Sequence, residues 1–475
     1  MVVDFFCKRH FSEPLCQGYQ SMYKKGNIKT HSLTLEILTP IHIGTGEKLK
    51  NHYDYIVKNG KPFVVDKAAT YDLILDQKKH DDERLYEKDF NIQDLIDIAG
   101  QDCGYWLKPI SGFKPHQINE CIKNAYLKPY IPGSSLKGAI RTAIIGTLLF
   151  NNEDHYKKYI LTNNKDKSIA DKQLIKKLLG SSPHKDIFRA LRVSDVIFPA
   201  PLEPVLAEIN VENVYKSSVQ TLYVEAIDKR QYGQFFMSRD EFLLNNSDKW
   251  NDSKIGSKPF FSSYNDLCKL INTYSMRYLE NEIKFYDKGN IKEASIFIKN
   301  LLQKIQLDMK NNVSKAYLQM SWGAGWNNKT GSWLDKYLEE IRQRYKLGKG
   351  KGIFPRTRRL IYKDHQAETP GWVCISTEPI VIKPEKKTCS WVDEAMEKLC
   401  HEHHSKPDQI LKSKVLAKEW ANISEKELQK QAIDDIKHRW KEKGWMEGKP
   451  KGAIKKAIEI YGDIWEVEQT NETNK

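Results

Sequence analysis

The sequence predicts an α+β fold followed by a helical C-terminal module. Three observations carry that expectation. Leu33, Leu35 and Ile37 alternate with Ser32, Thr34 and Glu36, the period-two pattern of a half-buried strand. Leu136, Ile140, Ala143, Ile144, Thr147 and Leu148 recur at helical spacing behind a Pro132-Gly133 turn. From residue 391 to 462 the apolar residues again keep helical spacing, with charges of both signs between them.

Taken in order, residues 1 to 29 read as an irregular arm. The strand from His31 to Leu38 runs into Thr39-Pro40-Ile41-His42-Ile43-Gly44-Thr45-Gly46. Pro40 ends regular pairing, and Gly44 and Gly46 let another backbone come close. Tyr53 to Val57 and Phe63 to Asp66 flank Asn59-Gly60, a hairpin turn pair. Residues 68 to 99 place Leu73, Leu75, Leu85, Leu95 and Ile98 as helical core. The Pro132-Gly133 turn then opens a helix that Ser134 or Ser135 can cap by accepting a backbone N–H. Residues 151 to 185, rich in lysine, predict a helical insertion closed by Gly180-Ser181-Ser182-Pro183. Leu191 to Phe198 predicts a strand, Thr221 to Ala226 and Gln234 to Arg239 a strand pair, and residues 240 to 310 mainly helix. Val373 to Ser376 and Ile380 to Ile382 form a short strand before a linker, Pro384-Glu385-Lys386-Lys387. The C-terminal helices break near Lys406-Pro407, near Ile423-Ser424 and between Gly444 and Pro450. The expected domains are 1–150, 151–383 and 384–475.

At 475 residues, 40% of them hydrophobic and 29% charged, the chain reads as a soluble globular protein of more than one domain. It has no run of 18 apolar residues and no signal-peptide core near its first residue, so a cytoplasmic place and no membrane contact are expected. Eight scattered cysteines without a C-x-x-C pair predict free thiols. Cys400-His401-Glu402-His403-His404 holds metal-ligand chemistry, but contiguous residues point in different directions and do not close a tetrahedral site. No metal and no cofactor are expected.

The formal charge of +14 makes a nucleic acid the first partner to consider. Two stretches concentrate the expected contacts. At the start of the helix after Gly133, Ser134 and Ser135, the open N–H groups and positive dipole end meet Lys137 and Arg141, which are four residues apart and share a face. An ordinary turn with a solvated basic face is the plainer alternative. Later, Trp322 and Trp326 flank Gly323 and Gly325. Arg342, Arg344, Lys346, Lys349, Lys351, Arg356, Arg358 and Arg359 then fall within 18 residues that contain no acid. Gly348, Gly350 and Gly352 alternate with lysines there, and each would cost a helix about 1 kcal/mol, so a flexible basic loop is expected. Such a loop can follow a phosphate backbone while neighbouring indoles stack bases; a plain surface loop is the alternative. His42, beside the glycine turn, is the leading general-base position, with packing of the turn as its other reading. No Ser-His-Asp order, zincin motif or Walker loop occurs.

I-P-G-S-S-L-K-G-x-x-R (Ile131 to Arg141) resembles the signature of the RAMP superfamily, the RNA-binding subunits of CRISPR effector complexes. P-x-H-I-G-x-G (Pro40 to Gly46), L-x-V-S-D (Leu191 to Asp195) and Y-V-E-A (Tyr223 to Ala226) add to the resemblance. Their order is similar to that in the fifth subunits of type III-A (Csm) complexes. The resemblance implies two ferredoxin-like (RRM-type) RAMP domains with helical insertions. It implies a noncatalytic role capping the backbone filament at the 3′ side of the CRISPR RNA and supporting its maturation. Expected partners are CRISPR RNA, other Csm subunits, chiefly the backbone RAMP subunit, and a recruited host nuclease. Expected RNA contacts are Gly44, Gly46, Gly133, Ser134, Ser135, Lys137, Arg141, Trp322, Trp326, Lys349, Lys351, Arg356 and Arg358. The competing function is a metal-independent endoribonuclease acting through His42. Glu47 and Asp54 are the acids nearest the place where the backbone subunit carries its cleavage residue, and the match is too loose to give either that role.

Overall fold

The computed structural model describes residues 28–442 apart from 77–81, 87–90, 101–102, 111–115, 151, 163–165, 167–170, 200–201, 214–219, 254–262, 332, 351–353, 364–365, 379–390, 404 and 424–425. Residues 1–27 of the expected N-terminal arm, the linker at 384–387 and the helix expected after Gly444 lie outside the described residues; the last two positions of the arm, Ile28 and Lys29, belong instead to a strand.

The strand announced by alternation is β1 (Ile28–Ile37). It sits at the centre of a five-stranded sheet ordered β12 (Lys315–Gln319), β15 (Trp372–Ser376), β1, β11 (Tyr232–Asp240), β8 (Leu191–Val193). Every neighbouring pair is antiparallel. Leu33, Leu35 and Ile37 are at most 2% exposed and belong to one core with Leu136, Ile140 and Ile144 of α3 (Gly133–Phe150). Each such side chain contributes about 1.5–3 kcal/mol on leaving water. On the other face, Tyr317, Trp372 and Cys374 pack with Tyr278, Leu279, Ile298 and Ile305 of a helical hairpin, α6 (Tyr264–Lys288) and α7 (Lys292–Lys310).

A second sheet runs β14 (Gln366–Glu368), β13 (Thr357–Lys363), β9 (Val205–Asn213), β10 (Thr221–Ala226), β7 (Gln117–Cys121), β2 (Gly44–Lys50), with β6 (Lys108–Pro109) also on β9. Val205, Ala207, Ile209, Val224, Ala226 and Ile361 form its core. Both sheets draw strands from both sides of residue 150. The chain passes between them through the turn from β10 to β11, where Ile41 and Ile227 exchange backbone hydrogen bonds of 2.9 Å. These curled, mainly antiparallel sheets with their helices make an α+β protein of the ferredoxin-like type.

The Asn59-Gly60 hairpin forms as expected, joining β3 (Tyr55–Lys58) to β4 (Lys61–Val65). With β5 (Gly104–Trp106) they make a small sheet under α1 (Lys67–Asp76) and α2 (Ile92–Ala99). The Asn91 side chain accepts from the Asp94 N–H while Asp94 answers to the Asn91 N–H, a capping box that fixes the start of α2. The lysine-rich insertion forms α4 (Glu153–Ile160) and α5 (Lys172–Leu179), whose Tyr156, Ile160, Leu174 and Leu178 join the core of α3.

The chain divides into two compact units, one up to Ile380 and one from Val381. In the second, α9 (Trp391–Glu402), α10 (Pro407–Leu411), α11 (Lys414–Ala421) and α12 (Lys426–Glu442) bury Leu399, Leu411, Leu416, Trp420, Ile436 and Trp440. No helix among the described residues is long and apolar enough to cross a membrane.

Candidate nucleic-acid interface

The glycine turn is built over a buried polar core. His42 is 6% exposed, and its Nδ1 lies 2.7 Å from the Glu225 carbonyl. A carbonyl only accepts, so Nδ1 carries the proton. Burial lowers the His42 pKa from 6.5, with Lys123 and Arg359 adding to the effect, and the ring is neutral at pH 7. A Cβ at Gly44 would lie 2.8 Å from His42 Nε2, so glycine lets the turn close over the ring. The Glu225 side chain is fully buried. It accepts from the Tyr105 hydroxyl at 2.6 Å, the Cys121 N–H at 2.9 Å and Lys123 Nζ at 2.5 Å. Strand patterning alone left this acid unremarked. The available signal was an acid inside the strand Thr221-Leu222-Tyr223-Val224-Glu225-Ala226, which demands a buried cation.

Beyond the turn, β2 is an exposed edge strand. Its register against β7 shifts between Gly44 and Lys48, so Thr45, Gly46 and Glu47 bulge from the sheet, and Gly46 has φ +98°. Lys48 and Lys50 follow on the same strand, and the Glu47 N–H donates to Thr45 Oγ1 at 3.1 Å. Asp54 accepts from Lys67 Nζ at 2.7 Å and from the Lys50 N–H at 2.9 Å. Burial pushes its carboxyl up, but Lys67 and that N–H outweigh burial and hold it below the usual range.

At the signature helix the structure replaces the expected cap. α3 begins at Gly133, so Ser134 and Ser135 lie inside its first turn, Ser134 exposed and Ser135 half-buried. The cap comes from a distance: Asp195 Oδ1 accepts the Gly133 N–H at 2.7 Å. A Cβ at Gly133 would stand 2.3 Å from the Val193 oxygen and 2.6 Å from that of Ser194, because the strand β8 crosses the helix start in contact with it. The two motifs I-P-G-S-S-L-K-G and L-x-V-S-D are therefore two halves of one joint. Lys137 Nζ donates to the Leu191 carbonyl at 2.6 Å, and burial, with Arg141 and Arg192 nearby, lowers its pKa. Arg141 pairs with Asp186 at 2.7 Å while remaining about one-third exposed.

The tryptophan-glycine stretch packs directly on the glycine turn. Trp322 meets His42 edge to face at 5.9 Å, and the Arg359 guanidinium lies 3.7 Å over the indole while donating to the Trp322 carbonyl. Trp326 stands against Phe354 with ring centres 4.8 Å apart. The basic segment is less uniform than its composition. Arg342 is buried on Glu339 at the end of α8 (Leu338–Arg344), and Arg344 donates to the Thr162 carbonyl. Arg358 turns inward: its guanidinium bonds both oxygens of Glu282, at 2.5 and 2.9 Å, over the Phe285 ring. Arg356 is exposed. Residues 347–350 form a short 3-10 turn, and the Lys349 side chain and Lys351 lie outside the described residues.

The structure thus joins Gly44, His42, Trp322 and Arg359 in one locus, and Gly133, Lys137, Arg141 and Asp195 in another. Among the described residues no group of three His, Cys, Asp or Glu side chains could hold a metal ion.

Residues 34–328 match the RAMP superfamily. The Csm5 protein of a CRISPR system from Methanocaldococcus jannaschii is 25% identical over 402 residues, 75% of this chain and 91% of that protein. The Csm5 protein of Streptococcus thermophilus is 28% identical over 195 residues, 36% of this chain and 52% of that protein. The fold is similar to a chain in the cryo-EM structure of a Csm–crRNA–target RNA ternary complex of a type III-A CRISPR-Cas system. That likeness has a TM-score of 0.52 and 23% identity, and covers 73% of this chain and all of that one.

Proposed function

The chain belongs to the RAMP superfamily, and from that premise we propose that it is a noncatalytic, RNA-binding subunit of a type III-A CRISPR Csm effector complex. In this reading it caps the backbone filament at the 3′ side of the CRISPR RNA and supports its maturation. Its partners are that RNA and the other Csm subunits, chiefly the backbone RAMP subunit. The observation that carries the reading is the likeness to the archaeal Csm5 over 91% of that protein's length. The geometry adds support. The edge strand with Gly44, Gly46, Lys48 and Lys50, the helix start with Ser134, Lys137 and Arg141, and Trp326 with Arg356 offer cations, open backbone and an indole to a single strand. Arg358, held by Glu282, is not part of that surface. The noncatalytic part of the reading rests on His42, which is buried and neutral with its proton committed to a carbonyl, and on Asp54, which is committed to Lys67.

Labelled repeat-spacer RNA, incubated with the purified protein with and without EDTA, tests the reading. Binding without cutting is expected, and Lys137→Ala with Arg141→Ala should lower the slope of affinity against salt by about two charge units. Cutting that vanishes in His42→Ala would replace the proposal by an endoribonuclease, and an unchanged salt slope would remove the helix start from the surface.

A further inference from the structure

The turn between β10 and β11 and the β13–β14 hairpin enclose a surface cavity of about 310 Å³, lined by Asp228, Lys229, Arg230, Lys363, Gln366 and Glu368. It lies where the chain crosses from one large sheet to the other. Its size is at the small end of ligand pockets, but no apolar side chain lines it, which excludes an apolar occupant. The charges are unevenly spent. Lys229 Nζ bonds Glu368 at 2.5 Å, so that pair closes on itself. Arg230 and Lys363 pair with no acid among the described residues, and both are exposed. Arg230 holds a left-handed backbone, φ +66°, fixed by its N–H on the Ile37 carbonyl at 2.8 Å and by the Ile37 N–H on the Gln231 carbonyl at 2.9 Å. A non-glycine residue held there is strained, and such positions gather at ligand sites. One oxygen of Asp228 accepts the Lys229 N–H at 2.8 Å, which leaves the other to accept from a ligand.

The ligand must therefore be anionic at one end and a hydrogen-bond donor at the other. Inorganic phosphate keeps a P–OH that can donate, but its whole charge is concentrated within one small group and sets an anion directly against Asp228. A ribonucleotide meets both: its phosphate suits the fork of Arg230 and the ammonium of Lys363, and its ribose hydroxyls can donate to Asp228. We infer that this cavity binds one ribonucleoside phosphate unit, either free or within an RNA strand, at a site separate from the RNA surface described above. The inference goes beyond the assembly reading and stands without it.

Calorimetric titration of the full-length protein with adenosine monophosphate tests it. Saturable one-to-one binding is expected, weakened at least tenfold by Arg230→Gln with Lys363→Gln, and weakened likewise when the 2′,3′-dideoxy nucleotide replaces the ribonucleotide. A thermal melt of the double variant reports its fold. If that variant is unfolded, Asp228→Asn takes its place, and it should abolish the preference for the ribose hydroxyls. No saturable binding by the wild type, equal affinity in a folded double variant, or an unchanged preference in Asp228→Asn would overturn the inference. Saturating single-stranded oligouridylate then distinguishes the sources: displacement of the nucleotide assigns the site to an RNA strand, and simultaneous binding assigns it to a free nucleotide. Failure of the protein to bind repeat-spacer RNA would strike the proposed function and leave this titration standing.

Discussion

Glu225 shows how much one residue can hold. Its carboxylate is surrounded by Tyr105, Cys121 and Lys123, and the Lys123 side chain is only 5% exposed. Removing one partner of a buried pair leaves the other charged and unpaired, at a cost of about 3–5 kcal/mol. Lys123 keeps Glu120 at 3.3 Å, so Glu225→Ala is expected to lower unfolding free energy by no more than that amount in urea titration, and adding Lys123→Met should restore much of the loss. An equal loss in the single and double variants would show that the ion pair is not the cause. Asp335 gives the opposite case. Burial raises its carboxyl to about 6, with Glu153 and Glu282 adding to the rise while Arg277 and the Asn281 amide oppose it. A folded-state value above the unfolded 3.8 means that the group's stabilisation is complete below 3.8 and is lost as pH rises through about 6. Between pH 7.5 and 5 the wild type should thus gain stability from this site, a gain that Asp335→Asn lacks. The same pH dependence in both proteins would refute the assignment.

Among the elements, α3 starts on a long-range joint. Its first N–H is capped by Asp195, and its first residue has no room for a side chain. Loss of an N-cap costs about 0.5–2 kcal/mol, so Asp195→Ala should be mild. Gly133→Ala meets two backbone oxygens that cannot swing aside, and should cost more than the cap. Thermal melts of the two variants rank them, and a Gly133→Ala protein as stable as Asp195→Ala would mean that β8 does not press on the helix start. The β2 strand is the complementary element: it is a sheet edge with open hydrogen-bonding groups, interrupted by a bulge at Gly46 and carrying lysines that discourage strand pairing between copies.

For the whole molecule, an excess of 14 positive charges sets a long-range pull on a polyanion, and its use depends on which cations remain open. Arg342, Arg344 and Arg358 are engaged within the fold, so the basic stretch has fewer free charges than a count suggests. Residues 346 to 359 nevertheless offer trypsin several sites. Saturating CRISPR RNA should slow cleavage there several-fold, with the protection fading as salt rises. Cleavage at the same rate with and without RNA would remove this stretch from the RNA surface.

Much of the chain was legible because its signals are local. Period-two alternation marked β1, Asn59-Gly60 marked the β3–β4 hairpin, helical spacing marked α3 and the C-terminal helices, and each depends on residues a few positions apart. The motifs were visible too, but not their relation. Asp195 meets Gly133 across 62 positions, Lys123 meets Glu225 across 102, and Arg358 meets Glu282 across 76. A cation reads the same in sequence whether its partner is water, RNA or a buried acid. Only the packing of strands and helices in the tertiary structure decided which of these it was, because burial makes an unpaired charge costly and a paired one stable.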